Sequence, residues 1–413
     1  MALAAGTSLA ASATTRARWA LVALLSLAIF INYIDRGNLA TAAPLIQRDL
    51  GLTTLQIGLL TSAFFWTYVP GQMIAGWLVD RLGGHLALTL GFALWSLATA
   101  LTGLAGGFVV LVGLRVLLGL GETVAFPALS KLFAEAVPPS DLGLVNSIAV
   151  AGISLGPGVG VLAGGFLIAA LGWRPMFFIF GAIALLWLLP WSVYGRARAG
   201  SGRTEAPAPP AYRAILSRRV LWGATLGHFC NLYGLYFVLS WMPLWLVGQR
   251  GYSVVGMAKL LSVVYTVTAL GTIFSGWLCD RLIRAGYSIN GVRKSACVIG
   301  HLGGTVGLLG CALADPHTAI ASLFLGAICL MMVQIWPVTQ ILAGARAAGR
   351  WVGVQNCLAN TAGIIGPTVT GWIVDRTGSF DAAFVLAAGV VLVGALGWGV
   401  VLTRVEPVAW ASA

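Results

Sequence analysis

The chain has 413 residues, of which 59% are hydrophobic and only 9% are charged, and its mean hydropathy is +0.93. These values lie far outside the composition of a soluble domain and indicate an integral membrane protein. The formal net charge is +12, but nucleic-acid binders carry dense Lys/Arg patches on a polar surface, which this sequence lacks. The composition therefore argues against a nucleic-acid partner.

Apolar stretches of about 20 residues, enough to cross a bilayer, recur along the chain. The first begins after Arg18 and continues to Asp35 without a convincing cleavage site, so we interpret it as a retained span and not as a signal peptide. Cutting the sequence at charges and turn residues predicts an all-α membrane protein with twelve transmembrane helices, at 19–46, 55–79, 86–105, 108–130, 143–170, 175–195, 220–247, 254–279, 295–314, 318–343, 351–374 and 382–403.

A polar, basic segment rich in Pro, Gly and Ala at 196–219 interrupts this pattern and predicts a cytoplasmic linker. It separates an N-terminal six-helix bundle at 19–195 from a C-terminal six-helix bundle at 220–403. Short cytoplasmic tails at 1–18 and 404–413 complete the predicted organisation.

The two predicted bundles repeat short motifs. GWLVDR at 76–81 returns as GWLCDR at 276–281 and again as GWIVDR at 371–376, and a Gly-Pro element occurs at 152–160 and at 363–371. Internal repeats of this kind are typical of secondary transporters, which bind substrate between two pseudo-symmetric bundles.

Basic residues are distributed unequally over the connecting segments. With the N-terminus inside, 17 of the 24 Lys and Arg residues fall on the cytoplasmic side, whereas the outside keeps only Arg48, Arg174, Arg250 and Arg376. This asymmetry follows the positive-inside rule. We expect a multi-pass protein of the plasma membrane, the inner membrane of a bacterium, with both termini in the cytoplasm.

Several motifs resemble those of the major facilitator superfamily. GWLVDRLGG after the second span and RVLLGLGE at 115–122 carry this resemblance, which extends over the whole twelve-span chain. NYIDR at 32–36, the surroundings of Tyr68, LYFVLSWMP at 235–243, Trp336 and Asn356 are similar to the anion:cation symporter family, which includes sugar-acid permeases, vesicular glutamate transporters and sialin. The resemblance implies alternating-access transport of an organic anion.

Four charged residues lie inside the first and fourth predicted spans: Asp35, Arg36, Arg115 and Glu122. A charge at mid-membrane costs roughly 2.5 to 3.5 kcal/mol on insertion scales, so it usually persists where it lines a pathway and has a partner. Arg115 and Glu122 are nearly two turns apart and share one helix face. Gly119 and Gly121 lie between them, and we expect these glycines to let span 1 pack against span 4.

These charges suggest two roles. A guanidinium stays protonated and binds both oxygens of a carboxylate, so Arg36 and Arg115 are the candidates for holding an anionic substrate. Burial and neighbouring arginines act in opposite directions on a charged carboxyl, which suits Asp35 and Glu122 to exchange protons. The resemblance implies the same assignment. The alternative is that the four residues are neutralising pairs that hold helices together.

Other candidates for substrate binding carry weaker signals. Tyr33 and Tyr68 offer hydroxyl groups, although a membrane-protein tyrosine often only packs or anchors an interface. Asn356 and Asn360 share a helix face, where amides bind substrate hydroxyls or join helices. The resemblance favours Tyr68 and Asn356, and it implies a cavity-lining role for Trp336.

Two charge pairs, Asp80/Arg81 and Asp280/Arg281, end spans on the cytoplasmic side. The resemblance implies that they link helices in one conformational state and therefore act in gating, without contacting substrate. A plain topological charge is the alternative. The sequence also departs from the sugar-acid permeases at Ala149, where they often place a glutamine, which leaves room for a smaller or more apolar carboxylate.

Three functions compete. The first is a proton-coupled symporter that imports an organic anion, a sugar acid or related carboxylate. The second is a proton-driven antiporter that exports drugs or metabolites; a cationic drug calls for unpaired acids, whereas the four mid-membrane charges balance and become net positive when the acids are protonated. The third is a sensor, for which the linker and tails offer no signalling domain.

An enzyme is not predicted, because the sequence shows no soluble domain and no nucleophile constellation. All six cysteines lie in the second half without ligand spacing, so neither a disulfide framework nor a metal site is expected. We expect no cofactor and a proton as the coupling ion. The expected partners are a small organic anion, protons and the lipid bilayer, and the expected oligomeric state is a monomer.

Overall fold

A computed structural model describes residues 2–137, 142–194 and 210–410. Within these ranges the chain is almost entirely helical and contains no strand. The first half consists of α1 (Ala2–Leu50), α2 (Thr54–Leu82), α3 (Gly84–Thr102), α4 (Phe108–Glu122), α5 (Ala125–Ala136), α6 (Leu142–Leu171), α7 (Trp173–Leu186) and α8 (Leu188–Tyr194).

Residues 195–209, which include the first part of the predicted linker at 196–219, lie outside the described residues. The rest of the linker contains the short helix α9, with which the description of the second half begins. The second half consists of α9 (Tyr212–Leu216), α10 (Arg219–Leu244), α11 (Val254–Arg284), α12 (Ile289–Leu313), α13 (Pro316–Met331), α14 (Ile335–Asn360), α15 (Ala362–Thr377) and α16 (Asp381–Leu396). Single π-helical turns at Trp245–Gln249 and Gly397–Val401 follow α10 and α16.

Eleven segments of the described residues are long and apolar enough to cross a membrane, and each coincides with one predicted span. The remaining predicted span, 55–79, corresponds to α2, whose 29 residues extend over about 43 Å. Gly344, with φ +62°, separates the tenth span from the eleventh inside α14. The predicted all-α architecture of twelve helices in two six-helix bundles is confirmed.

Two spans are interrupted at corresponding places in the two halves. The fourth span breaks between α4 and α5, directly after Glu122. The tenth breaks between α13 and α14, where Gln334 donates to the Ser275 hydroxyl and Ser275 donates to the Met332 carbonyl. Paired interruptions of this kind are a feature of transporter binding regions, because broken helices free polar groups near the membrane midplane.

Glycines set the position of α1 against α6. A Cβ atom on Gly156 would lie 2.8 Å from the Tyr33 Cβ and 2.9 Å from the Phe30 carbonyl oxygen, and one on Gly160 would lie 3.1 Å from the Ile34 Cα. Small residues at intervals of four let two membrane helices approach closely. The Gly-Pro element of α6 therefore fixes the part of α1 that carries Asp35 and its neighbours.

We expect Gly156→Ala to lower the free energy of unfolding by about 1–3 kcal/mol, because the added methyl group has no room against α1. Thermal unfolding of the detergent-purified protein would measure this. Gly158→Ala is the matched control, since a Cβ there would meet Tyr265 at an ordinary 3.5 Å. Equal melting temperatures for the two variants would contradict this description of the packing.

The two halves meet most closely along α2 and α15. A Cβ on Gly58 would lie 2.3 Å from the Pro367 carbonyl oxygen, and one on Gly371 would lie 2.5 Å from the Thr54 carbonyl oxygen. Ser62 donates to the Ile364 carbonyl at 2.8 Å. The halves are thus joined at the end where α2 begins and α15 finishes, which we call the closed end.

Candidate functional site

Arg36 occupies the centre of the candidate site. Its Nε donates to Glu122 Oε2 at 2.9 Å, so a side-chain ion pair joins α1 to α4. The guanidinium carbon lies 4.7, 5.2 and 4.6 Å from the ring centres of Tyr33, Phe64 and Tyr68. Aromatic faces attract a guanidinium most strongly when it is desolvated, and together they fix its position.

Asp35 lies beside this ion pair. Its Oδ1 accepts from Asn38 Nδ2 at 2.9 Å, and Arg115 and Glu122 are near enough to interact with it electrostatically. The residue is only 2% exposed. All four predicted charges therefore belong to one buried cluster.

Three polar atoms of the cluster are unsatisfied. Asp35 Oδ2, Arg36 Nη2 and Glu122 Oε1 are buried and have no hydrogen-bond partner among the described residues. Buried polar atoms usually have partners, and orphaned ones commonly mark a site that binds something else. The cluster is incomplete as a set of internal pairs.

Arg115 is the most exceptional member. It is 6% exposed, yet in the described part of the chain its guanidinium forms no hydrogen bond and no ion pair within 4 Å. Glu122 and Asp35 act on it only as nearby charges. A buried cation without a direct partner is costly, so Arg115 is a candidate for binding an anion.

Arg36 and Arg115 line the same small cavity, whose volume is about 30 Å³. The cavity lies between the two halves: α1, α2 and α4 supply one side and α10 supplies the other. Its ten lining residues are Arg36, Leu39, Ala40, Thr61, Phe64, Phe65, Arg115, Tyr236, Leu239 and Ser240.

The predicted amides form a hydrogen-bonded chain between the halves. Asn356 Nδ2 donates to Gln72 Oε1 at 2.9 Å, and Asn360 Nδ2 donates to Asn356 Oδ1 at the same distance. The Tyr236 hydroxyl then donates to Asn360 Oδ1 at 2.6 Å. Gln72 and Tyr236 were not predicted as site residues. Tyr236 lies inside the LYFVLSWMP motif at 235–243, so the motif could have indicated it.

Trp336 is not brought to this cavity. The residue is 47% exposed, and its ring meets His228 edge to face, with 5.7 Å between ring centres. The predicted gating residues make contacts within their own halves. Asp280 forms an ion pair with Arg293 of α12. The guanidinium groups of Arg81 and Arg281 lie over the rings of Trp77 and Trp277, each one helical turn earlier in the chain. The side chain of Asp80 lies outside the described residues.

The expected role of two glycines is wrong. A Cβ on Gly119 would lie 2.1 Å from the Phe64 carbonyl oxygen of α2, and one on Gly121 would lie 2.8 Å from the Trp95 backbone nitrogen of α3. These glycines therefore seat α2 and α3 on α4 and do not bring α1 to it. Small residues show that a helix is approached closely, but not by which neighbour.

Asp375 joins the halves at the closed end. Its Oδ1 accepts from the Thr54 backbone N–H at 2.8 Å and its Oδ2 accepts from the Leu55 backbone N–H at 2.7 Å. A carboxylate is favoured at a helix N-terminus, where backbone donors are free. The third copy of the GWLVDR motif contains this residue and was the signal that could have identified it.

We expect Asp375→Ala to loosen the closed end, because both N–H groups lose a charged acceptor. A cysteine introduced at Ser240 should then react at least about fivefold faster with an impermeant maleimide applied from that side of the membrane. Asp381→Ala is the control, since Asp381 contacts Gln249 within the second half only. Unchanged labelling would show that Asp375 does not hold the halves together.

No group of three or more His, Cys, Asp and Glu residues with metal-binding geometry occurs in the described ranges. Their six cysteines are free thiols, and all are at least half-buried.

Comparison with known proteins identifies relatives over almost the whole chain. A family model described as Major Facilitator Superfamily matches residues 25–359. A protein named as a probable sulfoacetate transporter of Cupriavidus necator is 30% identical over 402 residues, which cover 92% of this chain and 93% of the relative. The hexuronate transporter of Bacillus subtilis is 30% identical over 394 residues, which cover 91% and 92%.

A similar fold is found among solved structures. The crystal structure of a bacterial homolog of the human lysosomal transporter Spinster, inward-facing and unoccupied, has a TM-score of 0.75 and 20% sequence identity. The match covers 94% of this chain and 95% of that chain. At this identity the likeness shows the fold alone.

Proposed function

Because this chain belongs to the Major Facilitator Superfamily, we propose that it is a proton-coupled symporter that imports an organic anion by alternating access. The observation that carries the proposal is the Arg115 guanidinium, which is buried, has no direct partner among the described residues and shares a cavity with Arg36. The names of the relatives, sulfoacetate and hexuronate transporters, support an anionic substrate.

Glu122 links proton and anion binding in this proposal. While it is ionised, it occupies Arg36 through the 2.9 Å ion pair. Protonation removes its negative charge and leaves Arg36 free for a substrate anion. Binding of a proton and binding of an anion therefore favour each other, which is the reciprocity that symport requires.

Asp35 is the second proton carrier in the proposal. Its unpartnered Oδ2 lies in the same cluster as Arg115, so an ionised Asp35 competes with substrate for that guanidinium. Protonation of Asp35 removes the competitor. Tyr33 and Tyr68 hold Arg36 in place from the side, and the amides Asn356 and Asn360 contribute by joining the halves around the cavity.

We propose that the closed end faces the outside. The contacts between α2 and the second half run from Asp375 at the closed end to the Gln72–Asn356 hydrogen bond. The distribution of basic residues over the connecting segments supports cytoplasmic termini in a bacterial inner membrane.

Uptake by proteoliposomes tests the proposal. Radiolabelled sulfoacetate, hexuronate and short carboxylates are supplied outside, with and without an inward proton gradient. The proposal expects accumulation above equilibrium only with the gradient and its loss when a protonophore is added. Anion uptake that does not respond to the gradient would contradict proton coupling. Transport of the anion out of the proteoliposomes against its gradient would instead support the antiporter.

A further inference from the structure

We propose that residues 403–410, which we call the C-terminal strap, hold one end of the second half together as a rigid unit during transport. The strap includes the described part of the predicted tail and contains no helix. It nevertheless lies against the bundle, and Val405 is only 2% exposed. This role goes beyond the proposed function, because it concerns how the second half moves and not what the site binds.

The strap is attached to α12 near its start. Lys294 Nζ donates to the Thr403 carbonyl at 3.2 Å, and the Val405 backbone N–H donates to Asn290 Oδ1 at 2.8 Å. Both hydrogen bonds use backbone groups of the strap and side chains of the first turns of α12. The course of the chain is therefore fixed as it leaves the last span.

The strap finishes at a break in the backbone of α14. Gly344 has a φ of +62°, so the helical hydrogen-bond ladder is interrupted there, and carbonyl groups of the preceding turn need other partners. The Val408 backbone N–H donates to the Leu342 carbonyl, and the Trp410 indole N–H donates to the Ala343 carbonyl, each at 3.0 Å. The strap thus caps the end of the tenth span.

Trp410 also connects this cap to the eleventh span and to the linker. Its ring meets the Trp351 ring edge to face across the break at Gly344, with 6.0 Å between ring centres. Arg218 of the predicted linker donates to the Ala409 carbonyl at 3.1 Å, and its guanidinium carbon lies 5.5 Å from the Trp410 ring centre. One tryptophan therefore joins two spans and the linker.

The backbone around Gly344 is a place where such support matters. Residues 335–343 form a short helical piece between two breaks, one at 332–334 and one at Gly344. Short helices gain little stability from their own hydrogen bonds and open locally at low cost unless packing holds them. Alternating access moves the two halves largely as rigid bodies, so an open turn would not keep the shape that has to move with α12.

Hydrogen exchange of the detergent-purified protein tests the strap and needs no substrate. We expect amides of residues 335–351 to exchange at least about tenfold faster in Trp410→Ala and in a chain that ends at Glu406, because both lose the bonds to α14. Trp410→Phe keeps a ring against Trp351 but loses the N–H donor, so its exchange should be intermediate. Arg404→Ala is the matched control within the strap, since its side chain is 74% exposed and pairs with Glu406.

Uptake by proteoliposomes tests the consequence for transport. In Trp410→Ala the maximum rate of anion uptake should fall about fivefold or more while the Kd for the anion changes less than about twofold, because the strap does not line the cavity. Asn290→Leu removes the acceptor of the Val405 N–H at the other end of the strap and should act in the same direction. Arg404→Ala should leave both quantities unchanged.

Each other outcome would contradict the strap or part of its role. Unchanged exchange of residues 335–351 in both Trp410→Ala and the shortened chain would show that the strap does not hold the turn. Uniformly faster exchange over the second half, with a lower melting temperature, would reduce these residues to ordinary core. Local loosening with an unchanged uptake rate, or a raised Kd, would overturn the role in transport. If no variant and no unaltered protein takes up an anion, the proposed function fails, whereas exchange still decides whether the strap holds the turn.

Discussion

Replacement of Arg115 with alanine is expected to abolish substrate binding, with a rise in Kd of about 100-fold or more. The guanidinium is buried at the cavity and has no direct partner in the part of the chain that the structure describes, so most of its interaction free energy remains available for the substrate. Calorimetric titration of the purified protein with the anion that proteoliposomes take up best measures the change, and counterflow exchange in proteoliposomes should be lost with it.

Two variants control this experiment. Arg115→Lys keeps the charge but loses the planar fork, so binding should weaken without disappearing. Arg48→Ala removes an arginine whose side chain is 82% exposed and should leave the affinity unchanged. Retained affinity in Arg115→Ala, with a normal melting temperature, would remove Arg115 from the binding site.

Asp35→Asn is expected to eliminate accumulation driven by a proton gradient while preserving exchange of substrate across the membrane. The amide keeps the size of the side chain and an oxygen for the Asn38 hydrogen bond, but it cannot carry a proton. We expect gradient-driven uptake to fall at least about tenfold and counterflow to change less than about threefold. Both assays use the same proteoliposomes, so a difference in protein content between preparations does not affect the ratio of the two rates.

Asp49→Asn provides the control, because Asp49 is a half-exposed acid that pairs with Trp173 and Arg174 away from the cavity. It should leave both assays unchanged. Equal loss of accumulation and exchange in Asp35→Asn would assign Asp35 to binding or to structure and not to proton coupling.

The helical architecture could be derived from the sequence because each span needs about 20 apolar residues, and charges interrupt that pattern visibly. The charged cluster was predictable for a related reason. A charge in a membrane helix needs a partner, and the first and fourth spans each offered two, so their clustering was expected, whereas the specific ion pair between Arg36 and Glu122 required the structure.

The neighbours of each helix could not be derived in the same way. Hydropathy gives the spans but not their arrangement, which is why Gly119 and Gly121 were expected to contact span 1 and instead seat α2 and α3. The chain of amides that includes Gln72 and Tyr236 depends on which helices of the two halves face each other. That information lies in tertiary packing and has no local periodicity.

Asp375 shows a different limit. Its motif was visible as a third copy of GWLVDR, but the same six-residue pattern ends three different spans. In the structure this copy caps the start of α2, more than 300 residues earlier. A sequence repeat therefore marked the residue, whereas its partner and its effect on the closed end required the packing of the two halves.

The most direct test of the central claim is proton movement driven by the substrate itself. Proteoliposomes containing a pH-sensitive dye and no imposed gradient are mixed with the preferred anion, and the internal pH is followed. Symport predicts acidification of the interior upon anion addition, absent in Arg115→Ala and in Asp35→Asn. Anion entry at constant internal pH, or alkalinisation of the interior, would contradict it.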